Sequence, residues 1–227
     1  MTPPILIFDM DGVLVDVTES YRETIAATVE HFTGARPTND QIQQFKNQGG
    51  FNDDWQLSHH IVNGVGCDVP FEETKAYFQE LFLGTNGTGG LILREKWIAR
   101  PGVLDKLAER FRLAIFTGRP REEAGITLKR FAPSLAFDPI VAMEDVAQRK
   151  PAPDGLLRIA AAHPDAKLMY VGDSIDDARS ARAAKIPFIG IAAPSNPTYL
   201  DLVFLFQEEN AHAIVDDINY LEEVFAQ

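Results

Sequence analysis

Apolar residues fall along this chain in two rhythms. Short unbroken runs, among them Ile5-Leu6-Ile7-Phe8, Leu113-Ala114-Ile115-Phe116, Leu168-Met169-Tyr170-Val171 and Phe188-Ile189-Gly190-Ile191, have strand length and no polar face, which predicts strands buried on both sides. Between the runs, apolar positions recur every three to four residues, the helical period. From Pro101-Gly102 onward the two alternate. A helix is predicted over 103–110, a strand over 113–116 running into Thr117-Gly118-Arg119, a helix over 122–131 and a short strand around 139–142. A helix over 154–162, a strand over 167–171 ending in Gly172-Asp173, a helix over 176–184, a strand over 188–191, and a last strand and helix at 213–215 and 219–225 complete the series. Such alternation predicts an α/β fold with a doubly wound parallel sheet.

Residues 17–95 break that alternation. Tyr21, Ile25, Val29 and Phe32 predict a helix over 18–33 with Thr18 as its N-cap. Helices over 38–47 and 53–62 take Thr38 and Asn52 as caps, and Phe71, Tyr77, Phe78, Leu81 and Phe82 mark another over 70–83. Gly84-Thr85-Asn86-Gly87-Thr88-Gly89-Gly90 reads as a flexible connector, because no strand precedes it and no Gly-Lys-Ser/Thr follows. The chain therefore reads as one α/β core, residues 1–16 and 96–227, interrupted after its first strand by an all-helical insert, residues 17–95. An insert at that point is a candidate lid.

Composition narrows the function classes. Hydrophobic content of 45% and charged content of 24% are ordinary for a globular protein. The net charge of −12 argues against nonspecific binding to nucleic acid or to an anionic membrane. It also means that an anionic substrate would need local positive charge, which favours a bound divalent metal. The single cysteine, Cys67, excludes an intrachain disulfide and fits a reducing compartment. Met1-Thr2-Pro3-Pro4 carries no basic region, and no run approaches the ~18 apolar residues of a membrane span. A cytoplasmic location is expected.

The chemistry sits where strands end. Asp9 and Asp11 follow the first apolar run, two residues apart, so both side chains of an extended segment can face one pocket. The C-terminal edge of an open α/β sheet is where such folds bind ligands. Two close acids repel each other and call for a cation or a shared proton; as turn acids capping a strand end they would need neither. Thr117-Gly118 offers a hydroxyl and backbone N–H groups to an anion, or simply a turn. Lys150-Pro151 places a cation before a rigid ring, although a lone lysine is commonly a surface residue. Gly172-Asp173-Ser174-Ile175-Asp176-Asp177 puts three acids within five residues, suited to a hard cation such as magnesium, with helix capping by Ser174 or Asp176 the plain alternative.

Taken in order, these four signals resemble the motifs of the haloacid dehalogenase superfamily, in particular its phosphatases with a helical cap inserted after the first motif. Asp9-Met10-Asp11-Gly12-Val13 is similar to the first motif, Phe116-Thr117-Gly118 to the second, Lys150-Pro151 to the third and Gly172–Asp177 to the fourth. The resemblance covers essentially the whole chain and implies a Rossmann-like core with a cap domain. It implies that Asp9 is the nucleophile, that Asp11 is the general acid and then base, that Thr117 and Gly118 hold phosphate oxygens, and that Lys150 neutralises charge. It further implies Mg2+ bound by Asp9, the Asp11 carbonyl and Asp173, with Asp177, and Asp176 beside it, in support.

An acid at Asp11 points to phosphate-ester hydrolysis or phosphoryl mutation, since the superfamily's dehalogenases and phosphonate hydrolases lack one there. Its sugar phosphomutases carry a histidine early in the cap, where this chain has Tyr21. The stretch Gly49–Trp55 is the candidate substrate loop, with Asn52 and Trp55 as candidate contacts; as a helix–helix turn it would pack Trp55 inside the insert. It is similar to a subgroup named after histidine-biosynthesis enzymes, which makes histidinol phosphate one candidate substrate. His31, His59, His60, His163 and His212 are too scattered for an imidazoleglycerol-phosphate dehydratase metal centre. Arg119 either touches substrate or caps its helix. The expectation is a magnesium-dependent phosphatase of a small phosphorylated metabolite, such as a sugar phosphate, acting as a monomer or homodimer. A phosphomutase is the alternative, and a non-catalytic regulator the more distant one.

Overall fold

The computed structural model describes residues 3–85, 88–196 and 198–225. In chain order the elements are β1 (Ile5–Phe8), β2 (Val15–Asp16), α1 (Tyr21–Thr33), α2 (Asn39–Gln48), α3 (Asp54–Gly64), α4 (Phe71–Leu83), β3 (Gly84–Thr85), β4 (Thr88–Gly89) and β5 (Lys96–Trp97). There follow α5 (Val103–Arg110), β6 (Arg112–Phe116), α6 (Arg121–Phe131), β7 (Phe137–Val141), α7 (Asp154–Ala162), β8 (Leu168–Gly172), α8 (Ile175–Ala184), β9 (Phe188–Ile191), α9 (Tyr199–Glu208), β10 (Ala213–Val215) and α10 (Leu221–Val224). The chain divides into two compact units, Met1–Val15 with Trp97–Gln227, and Asp16–Lys96. Among the described residues no helix is long and apolar enough to cross a membrane.

The first unit is built on a six-stranded sheet of order β10-β9-β8-β1-β6-β7, whose neighbours all pair in parallel. Strand order reverses at β1: the chain moves outward through β6 and β7, then returns to β8 on the other flank. Right-handed crossovers in opposite directions place helices on opposite faces, which is the doubly wound arrangement. The burial pattern follows from it. Ile5 and Ile7 of β1, Ala114 and Phe116 of β6, Tyr170 of β8 and Phe188 of β9 join one core cluster with Leu156 and Ile159 of α7, Ala178 and Ala181 of α8, and Leu202 and Phe206 of α9. The intervening Leu6, Phe8, Leu113 and Ile115 are equally buried and point to the other face. Both faces are dry, so these strands read as unbroken apolar runs.

Packing under α9 is close enough to exclude a methyl group. A Cβ on Gly190 of β9 would lie 2.3 Å from the Phe206 ring. Gly190→Ala is therefore expected to cost about 1–3 kcal/mol through overpacking, read as a lower urea midpoint with an unchanged slope; an unchanged midpoint would show that the ring can move aside.

Several boundaries differ from the sequence expectation. Helix α1 begins at Tyr21, not Thr18, because the Thr18 N–H is taken by the Asp16 carboxylate at 2.9 Å in a turn. Asp53, not Asn52, caps α3, accepting from the N–H groups of Trp55 and Gln56. Thr38 caps α2 in a reciprocal pair with Gln41. The Gly-rich connector contains two short antiparallel strands, β3 and β4. A Cβ on Gly90, just past them, would meet the backbone of Leu83 at 2.2 Å, so the chain crosses itself there. The helix α9 was not foreseen. Its residues are apolar almost all round, with Leu200 and Phe204 exposed, so it shows no polar face to reveal its period.

The second unit packs α1, α3 and α4 around aromatic rings, Tyr21 stacking on Phe82 at 4.0 Å between centroids.

Candidate active site

β1, β6 and β8 are adjacent and end within one residue of one another: Phe8 is in register with Ile115 and with Val171. The residues that follow these strands, Asp9, Thr117 and Asp173, therefore come together at the C-terminal edge, on the strand where the order reverses. An open α/β sheet forms its ligand crevice at such a point. The Asp9 N–H continues the ladder to the Val171 carbonyl at 2.8 Å, and the Thr117 N–H bonds to the Val141 carbonyl at 3.0 Å. Backbone pairing thus extends to the functional residues themselves.

Lys150, on the loop before α7, has a side chain only 1% exposed. Its ammonium lies 3.0 Å from Asp9 Oδ1 and 2.7 Å from Asp177 Oδ1, and it donates to the Tyr170 hydroxyl at 3.0 Å. Burial works against the lysine charge, but Asp177 and Asp9 outweigh it and hold Lys150 above its ordinary range. Asp177 is also buried, yet Lys150, Ser174 and Tyr170 keep its carboxyl below the usual value. Its Oδ1 accepts from Lys150 and from Tyr170 at 2.6 Å, and its Oδ2 from the Ser174 N–H at 3.0 Å and hydroxyl at 2.6 Å. Burial pushes Asp9 up to about 7, against the pull of Lys150 and with help from Asp177 and Asp11.

Those shifts describe a site crowded with negative charge. One carboxylate oxygen each from Asp9, Asp173 and Asp177 lie within 4.8 Å of one another, with one buried lysine among them. Hard oxygen donors in that number suit magnesium, and a divalent cation held there would offset the mutual repulsion of the carboxylates. Asp177, with both oxygens already accepting from four donors, fits orientation of the cluster better than direct ligation. The plain alternative for Ser174 also holds, since it caps α8 in a reciprocal pair with Asp177.

The remaining candidates are placed as follows. Thr117 is buried, and its hydroxyl oxygen accepts from the Arg119 N–H at 3.2 Å, which leaves the hydroxyl hydrogen to donate. Gly118 occupies the turn between them, partly exposed. Asp11 is about a third exposed (32% for its side chain) and pairs with Arg119. Arg119 does not cap its helix, since α6 starts after Pro120; its guanidinium turns inward to Asp11 and Thr127. Asp176 is buried at the start of α8. Asn52 and Trp55 belong to the second unit, and neither is part of the acidic cluster. Trp55 is buried, with the Lys75 ammonium 4.2 Å over its ring, as a packing residue would be. Tyr170 escaped the sequence reading; a tyrosine directly before Val171-Gly172-Asp173 in an apolar strand was the available signal.

The chain is similar to known proteins in sequence and in fold. The family model of haloacid dehalogenase-like hydrolases matches residues 4–185. A curated protein of Phytophthora nicotianae named imidazoleglycerol-phosphate dehydratase is 34% identical over 197 residues, 83% of this chain but 43% of that protein's length. A phosphoglycolate phosphatase of Cereibacter sphaeroides is 28% identical over 186 residues, 82% of this chain and 83% of its own. Among solved structures, a haloacid dehalogenase-like hydrolase from Bacteroides fragilis superposes with a TM-score of 0.76 at 20% identity, covering 97% of this chain and 100% of its own. This last similarity shows the fold alone.

Proposed function

The chain belongs to the haloacid dehalogenase-like hydrolase family, and we propose that it is a magnesium-dependent phosphatase acting on the phosphate ester of a small metabolite. The observation that supports this most is that a buried carboxylate, Asp9, and a buried threonine hydroxyl, Thr117, follow adjacent strands, with the buried ammonium of Lys150 3.0 Å from Asp9. Phosphoryl transfer needs little else than in-line positioning and neutralised charge.

Asp9 attacks phosphorus and becomes an aspartyl-phosphate as the ester oxygen leaves. Asp11 protonates that oxygen and then takes the proton of the water that hydrolyses the intermediate. Lys150 offsets charge on Asp9 and on the phosphoryl group, and Thr117 donates to a phosphate oxygen. Asp9, Asp173 and the Asp11 carbonyl would hold magnesium, which when bound supplies the positive charge that draws phosphate to an acidic site. The helical unit is proposed as a cap that selects substrate, with Asn52 its candidate contact and Trp55 a packing residue.

The chain spans 43% of the length of the Phytophthora relative, so the dehydratase named for that whole protein is not assigned to this chain. Among the described residues, the acidic cluster suited to a metal is Asp9, Asp173 and Asp177. His31 stacks on Tyr77, and His60 packs between Phe45 and Phe51.

The test is phosphate release from a panel of sugar phosphates, histidinol phosphate and 2-phosphoglycolate, with and without a chelator. Release is expected to vanish with the chelator and return with added magnesium. No release from any ester would overturn the phosphatase reading. Phosphoryl movement between two hydroxyls of a sugar phosphate, with little net release, would favour a phosphomutase.

Gly12 offers a local check on the metal. It has φ +71°, and a Cβ there would sit 1.8 Å from Asp173 Oδ2. Gly12→Ala is expected to displace Asp173 and weaken magnesium binding roughly 10- to 100-fold, measured by calorimetric titration; unchanged affinity would remove Asp173 from the ligand set.

A further inference from the structure

Asp11 must serve two proton transfers, yet nothing in its own burial fixes it, since its side chain is 32% exposed. A carboxylate in that setting samples several rotamers. The group facing it is anchored far better. The Arg119 side chain is 1% exposed. Its Nη1 donates to Thr127 Oγ1 on α6 at 2.9 Å, its backbone N–H to Thr117 Oγ1 at 3.2 Å, and its carbonyl accepts from the Met143 N–H at 3.0 Å. From there Nε donates to Asp11 Oδ1 at 2.6 Å, and Nη2 pairs with the same oxygen. A guanidinium is a rigid planar fork, so a fork fixed on one side fixes the carboxylate on the other. Among the described residues, Asp11 Oδ2 accepts no hydrogen bond, so one oxygen is tied and the other is left to exchange a proton.

We propose that Arg119 is a positioning residue that holds Asp11 by one oxygen and presents the other, in a single orientation, to both proton transfers. The proposal rests on the phosphatase reading above. In the first transfer Asp9 bonds to phosphorus, the ester P–O bond breaks, and its electron pair leaves on the oxygen that takes the Asp11 proton. In the second, water bonds to phosphorus and gives its proton to Asp11, while the P–O bond to Asp9 breaks and its electron pair returns to the Asp9 carboxylate. An Asp11 released from Arg119 slows both steps unless the leaving oxygen needs no proton.

That exception supplies the test. p-Nitrophenyl phosphate expels a phenolate that departs unprotonated, whereas an alkyl phosphate does not. With magnesium present, Arg119→Met is expected to give a p-nitrophenolate burst equal to the enzyme concentration, then turnover roughly a hundredfold below the native rate. On an alkyl phosphate it should lose kcat by at least that factor with no burst, KM staying within about threefold. Asp11→Asn should show the same pattern, and the double variant should be no slower than Asp11→Asn alone. Thr127→Val, nearly isosteric, tests the anchor if Arg119→Met fails to fold; it should show the burst with a turnover loss of a few-fold. Native kcat in Arg119→Met, or a KM rise at constant kcat, would overturn the proposal, as would losses that multiply in the double variant or a Thr127→Val enzyme without a burst. A native enzyme that hydrolyses neither ester would overturn the phosphatase reading itself.

Discussion

Asp9→Asn is expected to release phosphate at least roughly a thousandfold more slowly than the native chain, which corresponds to about 4 kcal/mol or more of lost transition-state stabilisation. The amide keeps the size and shape of the side chain but cannot act as the anionic nucleophile, and it withdraws one of the three carboxylates that could hold a metal. The loss should not come from unfolding. Burial and the neighbouring Asp177 and Asp11 already oppose the charge on Asp9, so an uncharged group there removes repulsion, while Lys150 keeps Asp177 as its partner at 2.7 Å. Without metal, Asp9→Asn should therefore melt at or above the native temperature, a separation of function from stability common at active sites. Thermal melting beside steady-state phosphate release decides it. An active variant would remove Asp9 as the nucleophile, and an inactive variant that melts several degrees lower would point to structural damage instead.

The parts of this molecule legible in sequence are those where local pattern and tertiary environment agree. β9 and α7 fall on the residues expected, because Phe188–Ile191 is an unbroken apolar run and Asp154–Ala162 has a clear helical period. α9 failed that test: the side that faces Phe188 and the side that exposes Phe204 are both apolar. At the site, the positions of Asp9 and Asp173 were legible because each directly follows a buried apolar run, which sets it at the C-terminal edge of the sheet. The Asp11–Arg119 pair was not. Its members stand 108 residues apart, and only the placing of β6 beside β1 brings them together. Tyr170 was hidden for a related reason. Its ring belongs to the apolar core against Phe116 and Phe188, and only its hydroxyl, bonded to Asp177 and Lys150, reaches the polar layer.

Lys150→Met should affect stability and activity together, for one electrostatic reason. Lys150 is the buried cation between Asp9 and Asp177, which are themselves 5% and 0% exposed. Methionine fills much the same space, so the packing over the Phe116 and Tyr170 rings is largely kept. What changes is that two buried carboxylates lose their shared partner. Removing one member of a buried ion pair costs about 3–5 kcal/mol, which for a chain of this size lowers the melting temperature by roughly 6–20 °C. Phosphate release should fall by about a hundredfold or more, because the charge that stabilises the transferring phosphoryl group goes with it. The two losses can be separated. Adding Asp177→Asn to Lys150→Met removes one uncompensated charge and should recover part of the melting temperature without restoring turnover. A Lys150→Met protein that melts like the native chain would show that the cluster holds its shape without the lysine. Turnover regained along with stability in the double variant would show that Lys150 supports the fold alone and takes no part in the chemistry.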